Sequence, residues 1–399
     1  MFRSRFEEFS RSHLSSEQFQ SIWEGNRIEV FDGDIEKSNL GLSEAALAEI
    51  KASATIFIHA ASSINLQRSL SLISKSVIQP SLQMADLALV TPTFRQFVYV
   101  STAYANAHLH TVHNGIDTHI TEEVHPLRPS LGDTTDFEYS DLLSSCSTPE
   151  FSFHDFPFPY AYAKHLTERL LLSRLDESKL LILRPSIIGP ALAEPYPYYE
   201  LPGSAPATSF LAAVIPSLSL SMGFASRFPD PYRQSNIDEM PVDLVVNRLL
   251  MHLAHRTTGI VHAAAGKAAR RSFANLWEKA MSERRLPWSP RLSWSDTDWR
   301  DKSLHPIARI FVVLGTSYVF DGTRTEELWE RMSEEEKELF PCWLQSLEQN
   351  GDMMMRRKGV EAQVTKYFAR KKLPSVFIRL LIRDPIVGVV TGKALGRVL

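Results

Sequence analysis

The sequence predicts an α/β fold in which parallel strands alternate with helices, and three successive segments carry this prediction. Residues 97–100 form an apolar run that ends on Ser101 and Thr102. Residues 163–175 are rich in strong helix formers, and residues 179–190 form a second apolar run that ends in Pro and Gly. Strand, hydroxyl pair, helix and strand is the order of a βαβ unit, which builds a parallel sheet.

Length and composition limit the classes of protein to consider. The 399 residues are enough for two domains, which we divide at residues 295 and 296, and the net charge of -3 argues against a nucleic-acid binder. The two cysteines fit a reducing compartment. Residues 1–23 lack the apolar core of a signal peptide, and no apolar run reaches the ~18 residues of a membrane span. We therefore expect a cytoplasmic protein.

The βαβ segment also contains a set of side chains suited to protonating a carbonyl oxygen while a hydride arrives at its carbon. Tyr160 and Lys164 are four residues apart and would share one helix face. An adjacent ammonium favours the phenolate, so Lys164 is expected to lower the phenol pKa from ~10 and make Tyr160 a general acid. Thr102, with Ser101 as second choice, would bind the oxyanion. The alternative is that Tyr160 and Lys164 only occupy the surface of a helix.

Several other polar residues are candidate sites. The spacing of the first histidines in a His-rich segment suggests zinc, but no cysteine accompanies them, so we predict no metal and a polar surface loop. Cys146 has no base near it in sequence and is read as inert. Asp243, at the start of a predicted helix, is read as capping that helix. The five histidines of the His-rich segment are His108, His110, His113, His119 and His125.

Residues 194–210 are too rich in Pro, Gly and aromatics for regular structure and would wall a pocket. From about Asp296 the pattern becomes helical, and Thr323-x-x-Glu326 and Ser333-x-x-Glu336 both read as capping boxes. Residues 356–399 contain 11 Lys or Arg against two acidic residues. This basic tail suits either peripheral contact with an anionic membrane or the phosphates of an anionic ligand, and the alternative is a solvated helix packed on the domain.

Four sequence blocks, in this order, carry a family resemblance. They are VSTAYAN (100–106), YAYAK (160–164), LRPSIIGP (183–190) and NIDEMPVDLVVN (236–247). The chain resembles the fatty acyl-CoA reductases, extended members of the short-chain dehydrogenase/reductase superfamily, over roughly residues 28–266. Residues 320–341 are similar to the helical C-terminal domain of these enzymes.

The resemblance implies a Rossmann-like NADPH-binding reductase domain over residues 1–295, with substrate-pocket insertions at about 190–245, and a helical C-terminal domain over 296–399. It implies that Asp34 meets the adenine and that Ala60 and Ala61 line the cofactor backbone. It places Pro185 to Ile187 beside the nicotinamide amide, and Lys164 on the nicotinamide ribose.

The cofactor loop of such a domain is not visible in the sequence. No G-x-x-G-x-x-G or G-x-G-x-x-G occurs among the 17 glycines, although this turn normally holds the pyrophosphate. The resemblance places residues 27–34 in the third strand and Thr55 to His59 in the fourth, so we expect the first two strands to be missing. We also expect weak or no NADPH affinity.

The predicted function is NADPH-dependent reduction of a long-chain acyl-CoA thioester to a primary alcohol through the aldehyde. Two alternatives remain at this point. The chain could release polyketides or peptides reductively from a carrier, or it could be a non-catalytic, cofactor-poor relative with a lipid-binding or regulatory role.

Overall fold

The computed structural model describes residues 15–24, 28–66, 68–111, 116–127, 134–201, 203–267, 269–284, 286–299, 301–344 and 353–370. Its strands are β1 (Ile56–His59), β2 (Gln96–Val100), β3 (Thr118–Ile120), β4 (Leu180–Pro185), β5 (Ile187–Gly189), β6 (Ser221–Ala225), β7 (Asn236–Ile237), β8 (Glu239–Pro241), β9 (Gly259–Ala263), β10 (Arg271–Ser272), β11 (Arg291–Ser295) and β12 (Tyr318–Phe320).

The helices in the first half of the chain are α1 (Ser16–Glu24), α2 (Glu44–Ser53), α3 (Leu70–Leu89), α4 (Thr135–Ser145), α5 (Pro149–Phe153) and α6 (Pro159–Arg174). Those in the second half are α7 (Pro206–Val214), α8 (Pro231–Gln234), α9 (Val242–Ala254), α10 (Phe273–Glu283), α11 (Pro306–Ile310), α12 (Thr323–Arg331), α13 (Glu334–Leu339) and α14 (Met353–Arg370). Short 3₁₀ segments include Ala103–Thr111 and Val312–Gly315.

A four-stranded parallel sheet in the order β1-β2-β4-β9 forms the centre of the fold. Strands β2 and β4 are neighbours although α6 lies between them in sequence, so they form the crossover that the sequence predicts. Helices α3 and α6 pack on one side of the sheet in the largest apolar cluster, and α9 contributes to a cluster with the inward side chains of β2, β4 and β9. The predicted α/β class with a parallel sheet is confirmed.

The prediction that residues 27–34 form the third strand is wrong. Residues 28–34 form neither strand nor helix. A strand needs a neighbour to complete its hydrogen bonds, and in the part of the chain that the structure describes β1 pairs only with β2. This segment instead closes a turn in which the Asp34 N–H donates to the Leu40 carbonyl at 2.7 Å.

A second apolar cluster lies beyond the sheet and is built by α7, α10 and the parallel pair β6 and β11. The sequence prediction of an irregular segment over 194–210 is correct only up to the start of α7. Pro206 occupies the first turn of that helix, where its missing N–H has no partner to lose.

The C-terminal part is mainly helical, but it also supplies β12, which pairs in parallel with β3. The capping box at Ser333 is confirmed. The one at Thr323 is wrong, because Gly322 is the N-cap of α12 and the Thr323 hydroxyl donates to Asp321 at 2.6 Å. The boundary at residues 295 and 296 stays a prediction, and residues 371–399 of the basic tail lie outside the described residues.

The His-rich segment is not the surface loop that we predicted. Ala103–Thr111 forms a 3₁₀ segment in which His108 and His110 are buried, and the ring of His110 stacks on Trp299 at 4.3 Å. His113 lies outside the described residues. Within the described ranges, no His, Cys, Asp or Glu side chains gather as three possible metal ligands, and no helix is both long and apolar enough to span a membrane.

Candidate active site

A cavity of about 260 Å³ opens at the carboxyl ends of β2 and β4, where ligands bind in open α/β sheets. Ser101 and Thr102 reach it from the end of β2, and Tyr160 and Lys164 reach it from the first turns of α6. The structure therefore brings all four predicted catalytic side chains to one space. Most of the remaining lining is apolar, including Ile64, Leu66, Phe158, Ile188, Ile310 and Val313.

Lys164 is held rigidly below Tyr160. Its side chain is only 2% exposed, and Nζ donates to the carbonyl of Val100 at 2.8 Å. Nζ also lies 5.8 Å from the centre of the Tyr160 ring and 4.6 Å from that of Tyr99. Burial lowers the Lys164 pKa to about 7, against the opposing effect of the Glu168 carboxylate. Lys164 can therefore change its charge near neutral pH.

The phenol of Tyr160 does not have the lowered pKa that the sequence suggested. Burial raises its pKa well above the ordinary value, and a hydrogen bond with the Ser62 hydroxyl offsets this only in part. Burial outweighs the neighbouring lysine because Lys164 is itself desolvated and directs its amine to a backbone carbonyl. In this structure the phenol is neutral.

The two candidate oxyanion donors differ in their hydrogen bonds. The Ser101 hydroxyl donates to Glu168, whose carboxylate also accepts from Arg184 Nε at 3.0 Å, and both charged side chains are buried. The Thr102 hydroxyl accepts the Tyr104 N–H at 3.3 Å, and as a donor it makes only a long contact of 3.5 Å to the Pro185 carbonyl. Thr102 is therefore the freer donor, which favours it over Ser101 for binding an oxyanion.

The residues proposed for the cofactor divide into two groups. Ala60, Pro185 and Ile187 line the cavity beside Lys164, so they fit a flat nicotinamide ring. Ala61 and Asp34 are not part of the lining. Asp34 is exposed and lies 3.6 Å from Lys37 across one turn.

Three features of the site were missed at the sequence level. Ser62 contacts Tyr160 from a segment 98 positions earlier, and the Glu168–Arg184 pair joins α6 to β4. Asp243 makes no side-chain cap for its own helix, so that prediction is wrong. Its carboxylate instead accepts backbone N–H groups at residues 192–194, at 2.8–3.1 Å, and so fixes the loop after β5.

Only Glu168 had a signal in the sequence, because it lies four residues after Lys164 on the same helix face. The other contacts arise from the tertiary fold. Cys146 is exposed at the end of α4 and does not line the cavity.

Residues 2–249 match the family described as male sterility protein, whose model is one of NAD-binding domains. The chain belongs to this family. It is 25% identical over 229 residues to a putative fatty acyl-CoA reductase of Drosophila melanogaster, covering 56% of this chain and 41% of that protein. It is 27% identical over 248 residues to human fatty acyl-CoA reductase 1, covering 59% and 44%. The resemblance to fatty acyl-CoA reductases is confirmed. The chain spans less than half the length of these two relatives.

Solved structures confirm the Rossmann-like fold of this family member. The terminal R domain of the myxalamid PKS-NRPS pathway aligns with a TM-score of 0.51 at 14% identity, covering 87% of this chain and 76% of that one. A UDP-glucose-4-epimerase from Stenotrophomonas maltophila, with bound NAD, aligns with a TM-score of 0.50 at 14% identity, covering 88% and 87%.

Proposed function

We propose that the protein uses this cavity to reduce the thioester carbonyl of a long-chain acyl-CoA to a primary alcohol, through the aldehyde, with NADPH as cofactor. The observation that supports the proposal is the convergence of Tyr160, Lys164 and Thr102 on one largely apolar cavity. An apolar pocket with a few polar groups at one place suits a long aliphatic substrate with a single reactive carbonyl. The family relatives with fatty acyl-CoA reductase names support the same substrate class.

The substrate carbonyl oxygen gains negative charge during hydride transfer, so the reaction needs hydrogen-bond donors at that oxygen. We place the substrate carbonyl oxygen between the phenol of Tyr160 and the hydroxyl of Thr102. NADPH would supply the hydride to the carbonyl carbon. Tyr160 gives its proton to the oxygen, and Thr102 stabilises the charge that develops there.

The product of this first step is a hemithioacetal, and its breakdown completes the first half of the reaction. The C–S bond breaks, the CoA sulfur leaves and takes up a proton, and the hydroxyl proton returns to Tyr160 as the aldehyde forms. A second hydride and a second proton from Tyr160 then give the alcohol. Tyr160 thus donates the proton in both reductions, while solvent supplies the proton for the sulfur and, after the second reduction, the proton that restores the phenol.

Lys164 would bind the nicotinamide ribose. It would also compensate the negative charge of the Tyr160 phenolate. Because its pKa is about 7, a neutral amine can become an ammonium when a phenolate forms on the Tyr160 ring, whose centre lies 5.8 Å from Nζ. Ala60, Pro185 and Ile187 would border the nicotinamide. Since the sequence has no glycine-rich motif for the pyrophosphate, we expect weak NADPH affinity, and assays should use millimolar cofactor.

Replacing Tyr160 by Phe tests this assignment. Tyr160→Phe removes only the acidic hydroxyl, and we expect kcat/KM for acyl-CoA reduction to fall by about 10²- to 10⁴-fold. Tyr162→Phe is the matched control. Tyr162 lies on the same helix but donates to Glu138 at 2.9 Å and does not line the cavity, so its turnover should persist. Unchanged turnover in Tyr160→Phe would defeat the assignment.

The carrier of the acyl group is tested separately. The wild-type chain is supplied with the same acyl group on CoA and on an acyl carrier protein, with NADPH and NADH in parallel. We expect higher kcat/KM with the CoA thioester and with NADPH. A clear preference for the carrier-bound thioester would replace fatty acyl-CoA by a carrier-bound substrate.

A further inference from the structure

Helix α7 forms one wall of the cavity. Its residues Pro206, Ala207 and Phe210 all line the cavity, as expected for positions that share one side of a helix. Phe210 differs from most lining residues because its side chain is 0% exposed. Phe210 is therefore a cavity-lining residue that is packed into the protein core.

The Phe210 ring packs against three other aromatic rings, of which that of Phe311 also belongs to a cavity-lining residue. Phe311 lies 5.4 Å away, Phe273 6.4 Å and Phe224 6.5 Å, measured between ring centres. Phe224 and Phe273 are buried and do not line the cavity. Phe210 therefore lies between the cavity and the buried rings of Phe224 and Phe273 in the second apolar cluster, to which the lining residues Ile237 and Leu314 also belong.

The wall cannot move aside easily, because α14 packs against the back of α7. Val360 and Val364 belong to the same apolar cluster as Phe210. Gly359 lies against Glu200 and Thr208, where a Cβ would have no room. Arg356 forms a buried ion pair with Glu239 at 2.7 Å, which anchors α14 to β8. Helix α14 thus holds α7 in place from the side away from the cavity.

We propose that Phe210 ends the acyl-chain part of the cavity and sets the longest chain that the protein accepts. This inference rests on the proposed function, since it assumes that an aliphatic chain occupies the apolar lining. A chain that reaches the ring must stop there, because close-packed core leaves no space for further methylenes. Additional carbons would remain outside the protein and gain no burial.

The test is a competition measurement on the full chain. A fluorescent apolar dye, anilinonaphthalene sulfonate, is displaced by a series of straight-chain primary alcohols from octanol to octadecanol. In the wild type, affinity should rise by about fourfold for each methylene and then stop rising at a limiting length. In Phe210→Ala, the space of the lost ring should extend that limit by about four methylenes. Alcohols two carbons beyond the wild-type limit should bind at least about tenfold more tightly.

Phe210→Leu and Phe224→Leu complete the design. Both remove part of a ring from the same aromatic cluster, but only Phe210 borders the cavity. Phe210→Leu should extend the limit by about one methylene, and Phe224→Leu should leave it unchanged, so the inference stays testable if Phe210→Ala does not fold.

An unchanged limit in the Phe210 variants, with normal binding by the wild type, would overturn this inference alone. If no alcohol of any length displaces the dye from the wild type, the proposed acyl substrate fails and the inference fails with it.

Discussion

Replacing Lys164 by Met should make the protein more stable and less active. Lys164 is 2% exposed, and burial has lowered its pKa from the ordinary 10.5 to about 7. Met is unbranched and of similar length, so it can fill the same space without a charge. The site would then lose a group that costs folding free energy and that the proposed reaction uses.

The size of the gain follows from the two pKa values. A pKa difference of one corresponds to about 1.4 kcal/mol, so the difference between 10.5 and about 7 is worth about 5 kcal/mol. Below pH 7 both states are protonated, and the folded state carries the whole cost. Above pH 7 the folded state releases its proton first, and at pH 9 the cost is about 2 kcal/mol. The variant also removes the donor to the Val100 carbonyl, which costs about 1–3 kcal/mol.

Near pH 6, Lys164→Met should therefore raise the free energy of unfolding by about 3 kcal/mol, and this advantage should vanish near pH 9. Guanidinium denaturation at both pH values measures it, with the exposed Lys75→Met as control. A Lys164→Met protein that is less stable than wild type near pH 6 would refute the reasoning.

Three further predictions follow from the hydrogen bonds and charges around the site. Thr102→Val should lower kcat by about 10²- to 10³-fold. Ser101→Ala should mainly lower the free energy of unfolding, by about 1–3 kcal/mol, because the Ser101 hydroxyl donates to buried Glu168. Equal losses of kcat in the two variants would contradict this division. Arg184→Met should lower the free energy of unfolding by about 3–5 kcal/mol, since it leaves a buried carboxylate unpaired, and a smaller loss in denaturation would contradict that. Burial raises the pKa of the Glu122 carboxyl from 4.5 to about 7, so between these pH values the folded state retains a proton that the unfolded state has lost. The free energy of unfolding should therefore fall by about 3 kcal/mol as the pH rises from 4.5 to 7. Glu122→Gln should flatten this dependence, and an unchanged pH profile would count against it.

The sequence predicted the parallel crossover and the meeting of the candidate catalytic side chains because both depend on local patterns. A strand that ends in Ser101 and Thr102, followed by a helix that begins near Tyr160, leaves few choices for a parallel crossover. The carboxyl ends of parallel strands share one edge of the sheet. The hydroxyls and the phenol were therefore expected at the same place, and the structure brings them to one cavity.

The electrostatics could not be predicted in the same way. Charge proximity can be read from the spacing of Tyr160 and Lys164, but burial cannot, and burial decides the direction of both pKa changes. Ser62 follows β1 and Arg184 lies on β4, so their contacts depend on how β1, β2 and β4 align. No local pattern encodes those contacts.

Secondary structure was misread where a local rule competed with tertiary contacts. Residues 28–34 have a strand pattern but no neighbouring strand among the described residues. Asp243 stands where a capping carboxylate is common, yet it binds backbone N–H groups of a different loop. The prolines before Phe210 favour an irregular segment, although Pro206 is suited to the first turn of a helix.

The transfer of deuterium from labelled NADPH tests the central claim most directly. The full chain is incubated with a long-chain acyl-CoA and NADPH carrying deuterium at the reactive nicotinamide carbon, and the products are examined by mass spectrometry. We predict deuterium on the former carbonyl carbon in the wild type, one atom in the aldehyde and two in the alcohol, and very little in Tyr160→Phe. Unlabelled products, or equal labelling by Tyr160→Phe, would contradict the assignment of carbonyl reduction to this cavity.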